Sequence, residues 1–199
     1  MYASSASIIY GTRHKMKKIL FINGTVRQNS RTLELARSVL EKLEGAVEEV
    51  NLIDEEPMYH TPDKLKLRDE LIEQEEYSHP MFDYAKQFAE ADEIVVAAPY
   101  WDLLFPAIVR SYFEAICVGG ITFNFNDGRP NSLCNAKRLI YVTTAGGPIF
   151  KNLGFEYIDA LCHTFFEINE TICIKAEGLD ITGVDPIAIL EKAKKDIQI

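Results

Sequence analysis

The sequence predicts an α/β fold: a doubly wound, five-stranded parallel sheet with helices on both faces. Three observations predict it. Short apolar runs of strand length alternate with longer segments of helical period along most of the 199 residues. The run at 93–98 carries no charge beyond its first residue, as expected of a strand covered on both faces. Five strands alternating with five main helices call for right-handed crossovers, and those produce a parallel sheet.

Residues 1–15 have no sustained periodicity and read as a loose extension ahead of a single domain at 16–199. The first strand is 17–23. A helix follows over 30–44, with Leu33, Ala36, Leu40 and Leu43 on one face and Gly45 beyond its end. Residues 47–53 alternate like an edge strand. The charged stretch 54–80 exceeds ordinary connection lengths and reads as an excursion, helical in part, that covers the site. A helix at 81–91 leads into the third strand, 93–98. The next helix, 106–118, begins at Pro106, where a missing amide costs least. The Gly-bounded alternation at 119–130 reads as a hairpin or extended loop. The fourth strand is 138–144, followed by a helix at 154–167, the fifth strand at 171–176 and a last helix at 186–197 with Asp185 as its N-cap.

Five strands without a sixth fit the flavodoxin-like order 2-1-3-4-5 better than a full dinucleotide-binding order. Ligands of such sheets lie outside the carboxyl ends of the strands, so the segments after strands one, three and four should form the site. After strand one comes the pattern G-T-x-R-x-x-S-x-T, which matches neither G-x-G-x-x-G nor the Walker motif. Arg27 offers a cation, Ser30 and Thr32 offer hydroxyls, and the helix start offers unpaired amides, a set that suits a phosphate. After strand three, Pro99, Tyr100, Trp101, Asp102, Leu103 and Phe105 put aromatic residues where a short polar turn is the rule. After strand four, Thr144, Ala145, Gly146 and Gly147 allow close backbone approach to a ligand edge. Each segment also has a plainer reading: a polar turn with Asn29 or Ser30 as N-cap, a tryptophan capping the core, a flexible Gly-Gly turn. Together, a phosphate cradle, a flat aromatic wall and a glycine patch describe a site for flavin mononucleotide (FMN).

At this point the chain resembles the flavodoxin-like, FMN-dependent NAD(P)H:quinone oxidoreductases that include the FMN-dependent NADH-azoreductases. The resemblance runs from Met16 over nearly the whole chain. It rests on Pro99-Tyr-Trp-Asp-Leu with Pro106, on Tyr112-Phe-Glu, on Gly120-Ile-Thr-Phe-Asn-Phe, on Thr144-Ala-Gly-Gly and on Ala176-Glu-Gly. Azoreductases carry P-M-Y-N-F, Y-F-D, G-x-T-F and S/T-x-G-G at the first four, and the first loop is also similar to the G-S-x-R-x-x-S of NADPH-dependent FMN reductases. The resemblance implies that Ser30 and Thr32 bind the FMN phosphate, that residues 99–103 line the ring system, and that residues 144–147 follow its polar edge. It further implies a homodimer with flavins at the interface, where Phe125 and Phe165 reach the partner's flavin and, with Phe105, form the substrate pocket. Two positions depart from the family pattern, Asp102 for asparagine and Ala145 for a longer residue. A carboxylate beside the ring would oppose anionic reduced FMN, so Asp102 is expected to point away or to hold a backbone amide.

The implied activity is ping-pong hydride transfer from NADH or NADPH to quinones, azo compounds or other small aromatic acceptors, with the chemistry carried by tightly bound FMN. No nucleophile or zincin signature competes with that reading. The alternative is a non-catalytic FMN-binding regulatory or electron-carrier module, although the T-x-T-G-x-T loop of the carriers is missing. Lys and Arg total 21 against 30 Asp and Glu, a net charge of −9 with scattered cations, which argues against nucleic acid. No apolar run approaches the ~18 residues of a membrane span and no secretory signal is present, so a cytoplasmic protein is expected. Cys117, Cys134, Cys162 and Cys173 lack C-x-x-C spacing and read as reduced core thiols, His163 as a satisfied semi-buried residue, and no metal site is expected.

Overall fold

The computed structural model describes residues 16–55 and 59–199. The expectation of a loose extension at 1–15 lies outside the described residues. Five strands, β1 (Lys18–Asn23), β2 (Ala46–Asn51), β3 (Glu93–Ala97), β6 (Arg138–Thr144) and β7 (Glu170–Ala176), form one parallel sheet in the order β2-β1-β3-β6-β7. The numbering departs from 2-1-3-4-5 because the 119–130 region supplies β4 (Phe123–Asn126) and β5 (Arg129–Ser132), an antiparallel pair outside the main sheet. Among the described residues the α-helices are α1 (Arg31–Leu40), α2 (Pro62–Glu73), α3 (Asp83–Glu90), α4 (Ala107–Ile116), α5 (Leu153–Leu161) and α6 (Pro186–Lys195).

Alternation along the central strands sends side chains to two cores. Ile19, Phe21, Val95, Ala97, Ile140 and Val142 meet Leu35, Val39 and Leu190 of α1 and α6 on one face. Leu20, Ile22, Ile94, Val96 and Leu139 meet Phe88, Val109, Phe113 and Ile158 of α3, α4 and α5 on the other. The register pairs Asn23 with Ala97, and Ala97 with Val142. Strands β1 and β3 therefore end level, β6 runs two residues further, and their following loops share one edge of the sheet.

Several boundaries differ from the sequence expectation. Helix α1 closes at Leu40, short of Gly45. The stretch 54–80 does contain a helix, α2, started by Thr61, whose hydroxyl accepts from the Lys64 amide. None of its residues is buried. It does not cover the carboxyl-edge loops but lies against the end of α4, where Arg68 donates to the Cys117 carbonyl (2.6 Å). The helix expected at 154–167 is α5 followed by a π-helical turn, Cys162–Phe166, closed by Glu167 at φ 51°. His163 sits on that turn and is exposed rather than semi-buried, with Nδ1 2.9 Å from the Asp159 carbonyl oxygen.

Candidate functional site

A cleft of about 260 Å³ opens at the carboxyl ends of β1, β3 and β6. Arg27, Ser30 and Thr32 line one end, Pro99, Tyr100 and Trp101 form a wall, and Thr144, Ala145 and Gly146 complete it. Nine residues expected from the sequence thus share one cavity. Asn29, Arg31 and Asp180 join them. The first two lie inside the G-T-x-R-x-x-S-x-T pattern. Asp180 follows β7, where the rule that ligands sit beyond the carboxyl ends of strands points as well.

The phosphate-suited end is built by the β1–α1 loop. Gly24 donates to the Ala97 carbonyl (2.8 Å), and a Cβ there would lie 2.3 Å from Cγ2 of Val109, so only glycine lets the loop pass beneath α4. Asn23 Oδ1 accepts from both the amide and the hydroxyl of Thr25, which turns the chain toward α1. Ser30 is the N-cap: its hydroxyl oxygen accepts from the Leu33 amide (3.2 Å), which leaves the hydroxyl proton for a ligand. The amides of Arg31 and Thr32 have no acceptor within the helix and point from its positive end. Thr32 is buried, and its hydroxyl lies 2.6 Å from that of Thr144, so one of the two hydroxyl protons is used within the pair.

The wall rests on backbone. The Tyr100 amide donates to the Thr144 carbonyl (3.0 Å), which joins the β3 loop to the end of β6. Trp101 and Leu104 exchange amide-to-carbonyl bonds of 3.0 and 2.8 Å, with Asp102 (φ 51°) and Leu103 (φ 71°) as the two central residues between them. Two central residues at positive φ make a type I′ hairpin turn. The turn displays Trp101 toward the cleft at 40% exposure and carries Asp102 and Leu103 outside the lining. Asp102 faces a second depression with Phe105, Pro106, Arg110 and Tyr157, on the far side of Trp101.

The third wall is zipped to the loop after β7. Ala145 donates to the Ala176 carbonyl (2.9 Å), Leu179 to that of Ala145 (3.2 Å) and Asp180 to that of Gly146 (2.8 Å). A Cβ on Gly146 would sit 2.2 Å from Oδ2 of Asp180, so this glycine makes room for a carboxylate. Gly147 leaves the lining because the chain turns outward there, its carbonyl accepting from Gly178 (3.0 Å). Glu177 braces the loop by accepting from the Ile149 amide (2.7 Å). Partial burial works against its charge, yet that amide and Lys175 hold its carboxyl below the usual carboxylate range.

The three phenylalanines assigned to the substrate pocket do not reach this chain's cleft. Phe105 is buried, packed on Tyr157 and over Gly154. Phe125 stands on the β4–β5 hairpin, 62% exposed, with its ring edge-on to Phe123. Phe165 projects from the π-helical turn onto the same Phe123, at 5.0 Å between centroids. Neither Phe125 nor Phe165 lines the cleft. The described residues hold no cluster of His, Cys, Asp and Glu suited to a metal ion, and the four cysteines are unpaired.

Fold and cleft together define an α/β protein with an open cleft at the topological switch of a parallel sheet. The chain belongs to the family with the flavodoxin-like fold, whose family model matches residues 17–198. It is 33% identical over 198 residues to the FMN-dependent NADH:quinone oxidoreductase 2 of Clostridium acetobutylicum, a match that covers 90% of this chain and 98% of that protein. Among solved structures it is similar to an azoreductase from Bacillus anthracis strain Sterne, with a TM-score of 0.76, 20% identity, and 91% and 96% of the two chains covered. It is also similar to an FMN-dependent NADH-azoreductase from Bacillus anthracis strain Ames Ancestor in complex with FMN, with a TM-score of 0.75, 20% identity, and 91% and 95% covered.

Proposed function

We propose that the chain is an FMN-dependent NAD(P)H oxidoreductase that reduces quinones, azo compounds or other small aromatic acceptors by ping-pong hydride transfer. The observation that carries this reading is the end-to-end likeness to a relative named FMN-dependent NADH:quinone oxidoreductase. The residues present fit FMN: a cation, a hydroxyl proton and two helix amides stand at one end of the cleft, and an aromatic wall stands along its side. Arg27, Ser30 and Thr32, with the amides of Arg31 and Thr32, hold the phosphate. Pro99, Tyr100 and Trp101 flank the ring system, with Asp102 and Leu103 contributing through the turn that aims Trp101. Thr144, Ala145 and Gly146 meet the polar edge through backbone groups, with Gly147 contributing through the turn that follows them. FMN held there would supply the hydride-transfer chemistry between NADH or NADPH and the acceptor. The protein's part is to bind, orient and exclude water, and no acid–base pair is needed.

A second copy completes the site. Leu103 and Leu104 are exposed beside Trp101, and Phe150 is 89% exposed nearby in sequence to the Gly146 loop. Such residues are suited to burial in a homodimer with flavins at the interface. Phe125 and Phe165, remote from their own cleft, would then serve the partner's substrate pocket, with Phe105 supporting the wall. Residues 16–199 act as one domain. Four unpaired thiols are in keeping with a reducing, cytoplasmic location.

The purified protein should show a bound-flavin visible spectrum that NADH or NADPH bleaches under anaerobic titration, and it should oxidise NADH in the presence of menadione or an azo dye. FMN binding without turnover would overturn the enzyme reading. Failure to take up FMN on reconstitution would overturn the cofactor.

A further inference from the structure

The phosphate-suited end of the cleft contains two arginines in different situations. Arg27 makes no ion pair or side-chain hydrogen bond among the described residues. Arg31 is engaged: Nη2 donates to Oδ1 of Asp180 (2.7 Å) and Nη1 to the Leu179 carbonyl (3.0 Å). Asp180 is fixed in turn. Its amide donates to the Gly146 carbonyl, and its second carboxylate oxygen occupies the space that a side chain at Gly146 would need. A residue with 65% of its side chain exposed is thus held against the cleft rim by its ion pair with Arg31 and its amide bond to Gly146, in space that the glycine leaves open. The sequence around it makes this arrangement possible, since any residue larger than glycine at 146 would push the carboxylate away.

The consequence is electrostatic. Two guanidinium groups and one carboxylate leave the cleft lining with a single net positive charge, enough to favour one terminal phosphate. A flavin extended through a second phosphate would bring further negative charge toward the rim, where Arg31 is already neutralised and Asp180 repels it. Resting on the FMN reading above, we propose that Asp180 is a specificity-determining residue: by engaging Arg31 beside Gly146, it admits a flavin with one phosphate and disfavours a diphosphate-linked one.

The test is a set of dissociation constants for FMN, FAD and riboflavin, read by flavin fluorescence quenching on the wild type, Asp180→Asn and Arg31→Gln at low and high salt. Asp180→Asn keeps the side-chain shape at an exposed position and should narrow the preference for FMN over FAD about tenfold at low salt. Arg31→Gln leaves Asp180 unneutralised and should widen that preference. Riboflavin, which has no phosphate, should bind all three proteins alike, and high salt should shrink both effects. A preference unchanged within twofold in Asp180→Asn, or one that moves the same way in both variants, overturns the proposal while leaving the FMN reading intact. Wild-type protein that binds none of the three flavins overturns both.

Discussion

The hydroxyls of Thr32 and Thr144 stand 2.6 Å apart, and this contact ties the first turn of α1 to the end of β6 across the floor of the cleft. Both residues are buried, at 1% and 8% exposure. Removing one hydroxyl strands the other away from water, which costs about 1–3 kcal/mol, whereas removing both leaves nothing unpaired. Thr32→Val and Thr144→Val should therefore each lower stability by about 1–2 kcal/mol in urea titrations, and the double variant should lose clearly less than the sum. Strict additivity would show that the two hydroxyls do not depend on each other.

Leu103 occupies the second central position of the type I′ turn at φ 71°, where glycine or asparagine is the usual residue. A branched side chain in this region costs about 1–2 kcal/mol, which glycine would relieve, and glycine's greater freedom in the unfolded chain offsets part of that relief. Leu103→Gly should raise stability by about 0.5–1 kcal/mol, seen as a higher Tm by about 2–3 °C. If FMN affinity falls as stability rises, the strained leucine is retained for the site it shapes and not for the fold.

Gly24 answers a steric demand that starts on another element. Val109 is fully buried in α4, and its Cγ2 would lie 2.3 Å from a Cβ at position 24. Gly24→Ala should destabilise by about 1–3 kcal/mol through overpacking. Val109→Ala removes the obstructing atom, so it should relieve much of that loss when the two are combined, despite its own cost as a single change. Thermal unfolding of the two single variants and the double variant decides the matter, and a double variant worse than both singles combined would place the strain elsewhere.

The elements that sequence pattern revealed are those with a periodic reason to exist. The three central strands, β1, β3 and β6, are apolar because helices cover both faces, and the Gly-bounded alternation at 119–130 carried the hairpin signal that β4 and β5 fulfil. Helix α2 escaped delimitation because none of its residues is buried, so no apolar stripe was imposed on it. The π-helical turn after α5 inserts an offset into a continuous helical pattern and leaves no compositional mark. Within the site, the residues whose chemistry resides in a side-chain type, Arg27, Ser30, Thr32 and Trp101, were legible. The turn formed by Asp102 and Leu103 was not, because their positive φ depends on the amide bonds between Trp101 and Leu104 and neither is a glycine. Asp180 was hidden for a related reason: its place against Gly146 is set by two loops meeting in space.

Alkaline pH should expose the cost of burying thiols. Burial pushes the Cys134 thiol up to about 12, against weak opposing help from Ser132, and raises Cys117 and Cys173 to about 11. The Cys134 thiol also donates to the Thr122 carbonyl (3.3 Å), an interaction that requires the proton. A group whose pKa is raised on folding contributes stability that is complete below its unfolded value, near 9 for a thiol, and is lost as pH climbs toward the folded value. Unfolding free energy should thus be flat between about pH 7 and 8 and fall above about 9, by up to ~1.4 kcal/mol per pH unit for each such thiol. Cys134→Ala should start from a lower stability, having lost a buried sulfur, but fall less steeply between about pH 9 and 10.5. Urea midpoints measured across that range for both proteins test the assignment, and parallel curves would remove Cys134 from the account.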